Sequence, residues 1–201
     1  MTETESPKPG KVVIVSGPSG AGKGTVLKRL LETCPLPLEI SVSATTRRPR
    51  SGERDGVDYH FLKASEFHKL RSQGQFLECM EVFSSGDWYG TPGPPVAESV
   101  EKGNWVILEI DVAGAGEVLK KCPDAITIFI HPGSREELER RLRGRKTESA
   151  DAIQRRLAIA ATELKKASSY QHVLVNRNID STAEKLCDLL CKARESSCTT
   201  N

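Results

Sequence analysis

Five short apolar runs, dense in Val and Ile, punctuate the chain: KVVIVSG (11–17), LEISVSA (38–44), WVILEID (105–111), AITIFIH (125–131) and HVLVN (172–176). They are nearly continuous rather than alternating, which is the pattern of strands covered on both faces. Helical repeats lie between them, so an α/β fold is predicted, a parallel five-stranded sheet flanked by helices. Leu27, Leu30 and Leu31 recur at helical spacing, and CPLP (34–37) stops that helix because proline cannot continue it. SREE (134–137) and STAE (181–184) carry the S-x-x-E spacing of a capping box and predict helix starts at Ser134 and Ser181.

Two segments break the alternation. Residues 43–96 hold short β-like pieces, many Gly and Pro, and one helical stretch, SEFHKLRSQG (65–74). Residues 135–166 read as helical, polar and arginine-dense. Both are read as insertions on one sheet core built from 10–42, 97–134 and 167–195. The polar tails, 1–9 and 196–201, are predicted to be disordered, and no internal repeat is present.

A chain of 201 residues suits one well-packed domain. Its 29 Lys+Arg against 27 Asp+Glu leave a net charge of +2, so the global field points to neither a nucleic-acid nor a membrane partner. No apolar run approaches the roughly 18 residues of a spanning helix. The first ten residues, MTETESPKPG, lack an apolar signal core, and a cytoplasmic location is expected. The six cysteines form no C-x-x-C pair, and Cys187 and Cys191 lie four apart on a helix face; all six are read as reduced packing residues.

Chemistry first surfaces in SGPSGAGKGT (16–25). A strand feeding a glycine-rich turn that opens a helix points several backbone N–H groups inward at the positive end of the helix dipole. Phosphate oxygens are bound there with few side chains. Gly17, Pro18, Ser19, Gly20, Ala21 and Gly22 form this loop, and Lys23 adds a mobile charge for the outer phosphates. The hydroxyl that often follows the lysine and ligates Mg²⁺ is replaced by Gly24 and arrives one residue later as Thr25. Mg²⁺ is therefore expected on nucleotide oxygens and waters, with Thr25 the one candidate protein ligand.

In SVSATTRRPRSGERDGVDYHF (41–61), Arg47 and Arg50 flank a proline and Tyr59 follows, an arrangement able to aim two guanidiniums and a phenol at one dianion. These segments, together with FLECMEVF, WYGTP, LEIDVAGA, ERRLRGRKT and LVN, resemble the guanylate kinase family in order and approximate spacing from about Lys11 to Leu190. The resemblance implies a P-loop nucleoside monophosphate kinase fold with a mixed GMP-binding insertion (43–96) and a helical lid (135–166). It implies that Arg47, Arg50, Tyr59 and Tyr89 grip the GMP phosphate, and that Ser43, Glu78, Thr91 and Asp111 read the guanine. ATP would meet residues 17–25 and Asn176. Lys23, Arg47, Arg141, Arg145 and Arg156 would supply catalytic countercharge, with Mg²⁺ accompanying ATP.

The implied partners are ATP and GMP, with dGMP left open, and the assembly is a monomer or homodimer. No general base is needed, because a phosphate monoester with a second pKa of about 6 is already largely ionised at neutral pH. Two alternatives stay open: an interaction module that binds phosphorylated partners without turnover, and a kinase for another nucleoside monophosphate. Against the family's usual pattern, two extra residues separate Glu78 from Tyr89, and Trp88, Ala113, Lys146, Arg177 and Asn178 are departures.

Overall fold

Each apolar run supplies a strand. The computed structural model describes residues 9–82, 86–144 and 150–198. In chain order the elements are β1 (Val12–Ser16), α1 (Lys23–Thr33), β2 (Leu38–Ile40), β3 (Ala44–Thr45), β4 (His60–Phe61), α2 (Ala64–Ser72), β5 (Phe76–Val82) and β6 (Asp87–Pro92). They continue with α3 (Gly93–Glu101), β7 (Trp105–Glu109), α4 (Val112–Lys121), β8 (Ile126–His131), α5 (Arg135–Gly144), α6 (Ala150–Leu164), β9 (His172–Val175) and α7 (Ile179–Cys198). The main sheet is parallel, in the order β2-β7-β1-β8-β9. Its three central strands are buried almost throughout, as their unbroken Val and Ile content requires.

The run at 38–44 is divided. Its first half pairs into the main sheet, whereas Ala44 belongs to a second, four-stranded sheet in the order β4-β3-β6-β5. There β3 runs parallel to β4 and antiparallel to β6, and β5 and β6 form a hairpin. One side of this sheet closes on Ala44, Phe67 and Phe76, with Phe67 and Phe76 stacked at 4.5 Å and Trp88 packed beside them. Arg71 lies 4.2 Å above the Trp88 ring, a cation–π contact that fastens α2 to the hairpin.

Helix ends follow the local chemistry with one correction. At Thr33 the helix α1 stops one residue short of Cys34, whose extended backbone (ψ 132) precedes Pro35. At the start of α5 the Ser134 hydroxyl accepts the Glu137 N–H at 3.2 Å, the expected cap. The last helix does not begin at Ser181. It begins at Ile179, because Asn178 Oδ1 accepts the Ser181 N–H at 3.0 Å and so caps the helix three residues earlier. That helix reaches Cys198, beyond the expected start of the tail at 196.

The described residues fall into two compact units. One gathers Glu39–Leu108 and Ala113–Ala125 with the chain up to Val13; the other gathers Ile14–Leu38, Glu109–Val112 and the chain from Ile126 onward. In the second unit α5 and α6 share a small core of Leu138, Leu142, Ile153, Leu157 and Ala160, so the arginine-dense segment has an apolar seam of its own. Among the described residues, no helix is long and apolar enough to cross a membrane.

Candidate active site

The second unit carries the glycine loop between β1 and α1. Gly22 sits at the N-cap of α1 in the left-handed region (φ 88, ψ 21), and a Cβ there would come within 2.6 Å of Asn176 Nδ2. Only glycine lets the chain turn and the Asn176 amide approach together. Asn176, 2 % exposed, donates from Nδ2 to the Ala21 carbonyl at 2.8 Å and accepts from the Thr182 hydroxyl at 3.2 Å. Arg141 converges on the same carbonyl: Nη1 donates to Ala21 O at 3.0 Å, Nη2 to Asn176 O at 2.6 Å, and Nε to Glu137 at 2.7 Å. Loop, α5 and the end of β9 are thereby tied through one backbone oxygen. A pocket of about 390 Å³ opens beside them, lined by Gly22, Thr25, Arg140, Arg141, Asn176 and Arg177 among others.

Lys23 Nζ donates to the Gly17 carbonyl at 2.6 Å. Its charge is felt by two acids of the same unit. Burial raises the carboxyl of Glu109 above the usual carboxylate range and Lys23 pulls it back, although the residue as a whole is exposed. Glu163 is likewise raised by burial, with Lys23 opposing and Asp111 adding to the rise. Glu109 stands at the head of α1, where a Cβ on Gly24 would meet its Oε2 at 3.5 Å. Thr25 is exposed in the same turn, and Arg156 lies half-buried on α6 with its Nη1 enclosed. Arg145 falls outside the described residues.

The first unit carries the residues around the small sheet. Arg47 forms a two-pronged ion pair with Glu53, Nη1 to Oε2 and Nη2 to Oε1, each at 2.9 Å, and donates from Nε to the Tyr89 hydroxyl at 3.0 Å. Both members are mostly shielded, with 14 % and 20 % of their side chains exposed. The hydrogen bond from Arg47 is the main reason the Glu53 carboxyl lies below its usual range. The guanidinium also lies 5.5 Å from the Tyr59 ring, and Tyr59 meets Tyr89 edge to face at 5.8 Å. Arg50 is exposed, and its backbone N–H donates to Glu53 at 2.7 Å.

Glu78 and Thr91 are cross-strand partners in the β5–β6 hairpin. The Thr91 hydroxyl donates to Glu78 Oε1 at 2.7 Å, with the residues 1 % and 8 % exposed. A Cβ on Gly114 would stand 3.0 Å from Glu78 Oε2, so the start of α4 closes tightly on the carboxylate. From Glu78↔Thr91 to Val82↔Asp87 the pairing runs without a break, and a register shift lies between Phe76 and Glu78. Ser43 lies just before β3, its carbonyl accepting the His60 N–H at 2.9 Å. Asp111 belongs to the unit that holds the glycine loop, not to the unit of Ser43, Glu78 and Thr91.

Comparison with known proteins decides the family. The sequence profile of the guanylate kinase family matches residues 9–193. The chain belongs to the guanylate kinase family. It is 51 % identical over 193 residues to guanylate kinase of Rhodopirellula baltica, covering 95 % of this chain and 92 % of that one. It is 46 % identical over 181 residues to that of Mycobacterium tuberculosis, covering 90 % and 86 %. The crystal structure of guanylate kinase from Anaplasma phagocytophilum superposes with a TM-score of 0.74 at 35 % identity, covering 92 % of this chain and 87 % of that one.

Within this guanylate kinase family member, three acids were absent from the sequence-based set. Glu53 orients Arg47, Glu137 orients Arg141, and Glu109 faces the first turn of α1. Glu109 had a signal in the sequence, a carboxylate closing an otherwise apolar strand in WVILEID. For Glu53 the only cue was an acid three residues after Arg50.

Proposed function

We propose that the chain transfers the γ-phosphoryl group of ATP to GMP, reversibly, giving ADP and GDP. The observation that carries the acceptor half is the buried Glu78 carboxylate held by Thr91 Oγ1. Guanine offers N–H donors on the edge where adenine has no equivalent pair, so a fixed acceptor selects guanine, with Ser43, Thr91 and Asp111 completing the reading. A site whose polar groups are left unpaired by the wrong ligand discriminates by about 10⁴-fold. Arg47, Arg50, Tyr59 and Tyr89 bind the GMP phosphate; the Glu53 pair and the Tyr89 contact support a pre-set Arg47.

The donor half is the loop from Gly17 to Thr25, whose backbone N–H groups cradle the phosphates while Lys23 exchanges loop carbonyls for phosphate oxygens. Asn176 and Arg141, tied to Ala21 O, border the nucleoside end. Residues 10–42, 97–134 and 167–195 act as the core, 43–96 as the GMP-binding part and 135–166 as the lid. Lys23, Arg47, Arg141, Arg145 and Arg156 offset the charge of two polyanions and of the moving phosphoryl group. Closure keeps water from the γ-phosphate.

Family members of this kind require a divalent metal in general. Thr25 and Glu109 offer hard oxygen donors at the head of α1, a set that fits Mg²⁺ carried on ATP. When bound, the ion neutralises phosphate charge. The enzyme serves purine nucleotide supply in the cytoplasm, as a monomer or homodimer, with dGMP a second acceptor to be tested.

ADP release measured with GMP, dGMP, AMP and UMP tests this reading, with Lys23→Ala as control. Turnover is expected with GMP, lower by about 10⁴-fold with AMP, and nearly lost in the variant. Equal rates with AMP would remove the guanine assignment, and no turnover with any monophosphate would leave a phosphate-binding interaction module.

A further inference from the structure

Three of the cysteines meet at one point of the second unit, and none of them belongs to the candidate active site. Cys34 caps the C-terminal end of α1, its N–H donating to Leu30 O at 2.9 Å. Cys187 and Cys191 lie one turn apart on α7. Their three sulfurs all fall within 4.8 Å of one another, and Cys187 and Cys191 are 4.0 Å apart. Each is half-buried, so an ion has a route in, and each is a free thiol.

The spacing discriminates between chemistries. A disulfide needs sulfurs about 2.05 Å apart, so Cys187 and Cys191, 4.0 Å apart, would have to close about half of their separation. Around a metal with bonds of about 2.3 Å, the sulfur–sulfur edge is about 3.8 Å in a tetrahedral site and 4.0 Å in a trigonal one. The Cys187–Cys191 separation of 4.0 Å matches such an edge, and the sulfur of Cys34 lies within 4.8 Å of both. The helices that carry the three cysteines pack against each other through buried side chains, Val26, Leu27 and Leu30 of α1 and Leu186 and Leu190 of α7 being fully buried.

We propose that Cys34, Cys187 and Cys191 form a binding site for one soft divalent d¹⁰ cation of the Zn²⁺ class, held by three thiolates with the fourth position open to water. Three thiol protons leave to solvent as three sulfur–metal bonds form, and no electron is transferred. The site would fasten the far end of the helix that begins at Lys23.

The test uses the full chain, fully reduced and stripped of metal under anaerobic conditions, titrated with Cd²⁺ while the thiolate-to-metal charge-transfer band is followed, then with Zn²⁺ against a chromophoric chelator. One band saturating at one ion per chain, with release of three protons, is expected. Removal of a group that merely orients a ligand costs about 10- to 100-fold in metal affinity, and removal of a ligand costs at least that. Cys34→Ser, Cys187→Ser and Cys191→Ser should each show such a loss, whereas Cys79→Ser and Cys122→Ser should not. Circular dichroism of each variant, with Cys→Ala replacements at the same positions, separates a lost ligand from a lost fold. The proposal is overturned by the absence of a stoichiometric band, by a band that survives the three substitutions, or by one that disappears with Cys79 or Cys122.

Discussion

Thr91→Val isolates a single interaction. Valine has nearly the volume of threonine, so the packing of the hairpin is kept while the donor at 2.7 Å from Glu78 Oε1 is removed. With the pair 1 % and 8 % exposed, water has little access to replace it. A hydrogen bond to a charged group contributes about 1.5–3 kcal/mol, and since Glu78 keeps its other contacts the lower end applies, about 1.5 kcal/mol. For a chain of this size each kcal/mol moves the thermal midpoint by about 2–4 °C, so a fall of about 3–6 °C is expected by calorimetry. In steady-state kinetics the KM for GMP should rise by about tenfold, the equivalent of 1.4 kcal/mol, and the KM for ATP should stay constant. A double-mutant cycle with Glu78→Gln measures the coupling directly. A coupling below about 0.5 kcal/mol, or an equal rise of both KM values, would refute the claim that Thr91 fixes the carboxylate.

Two further outcomes follow from the loop and from α5. Gly22→Ala combines a left-handed backbone with a Cβ placed 2.6 Å from Asn176 Nδ2, and should cost at least about 1–2 kcal/mol in urea unfolding and weaken ATP binding; an unchanged midpoint would show that the loop relaxes freely. Glu137 is drawn down to about 2, chiefly by the hydrogen bond from Arg140 and then that from Arg141. Its folded value lies below the unfolded one of about 4.5, so its stabilisation is complete above 4.5 and is lost as pH falls toward 2. The gap in unfolding midpoint between wild type and Glu137→Gln should therefore narrow from pH 7 to pH 3, and a gap that widens would reverse the sign of the argument.

Much of the architecture is written in local pattern. The five Val- and Ile-rich runs become strands because residues apolar on both faces have nowhere else to be satisfied, and the proline at 35 ends α1 because its neighbour cannot stay helical. Such rules act over a few residues, so the sequence alone carries them. Where two local signals compete, it carries less: Asn178 rather than Ser181 caps the last helix, since Asn178 Oδ1 takes the Ser181 N–H and the helix is already under way at Ser181.

What the tertiary structure decided is which distant groups share a place. Glu53 closes on Arg47 through a turn, Arg141 and Asn176 converge on Ala21 O from separate elements, and Cys34 joins two cysteines of the last helix. Cysteines without a pairing motif read as packing residues along the chain, and became a candidate ligand set once α1 and α7 were packed together. The physical reason is range: propensity and capping depend on neighbours in sequence, whereas charge pairing and ligand geometry depend on distances set only when the core closes.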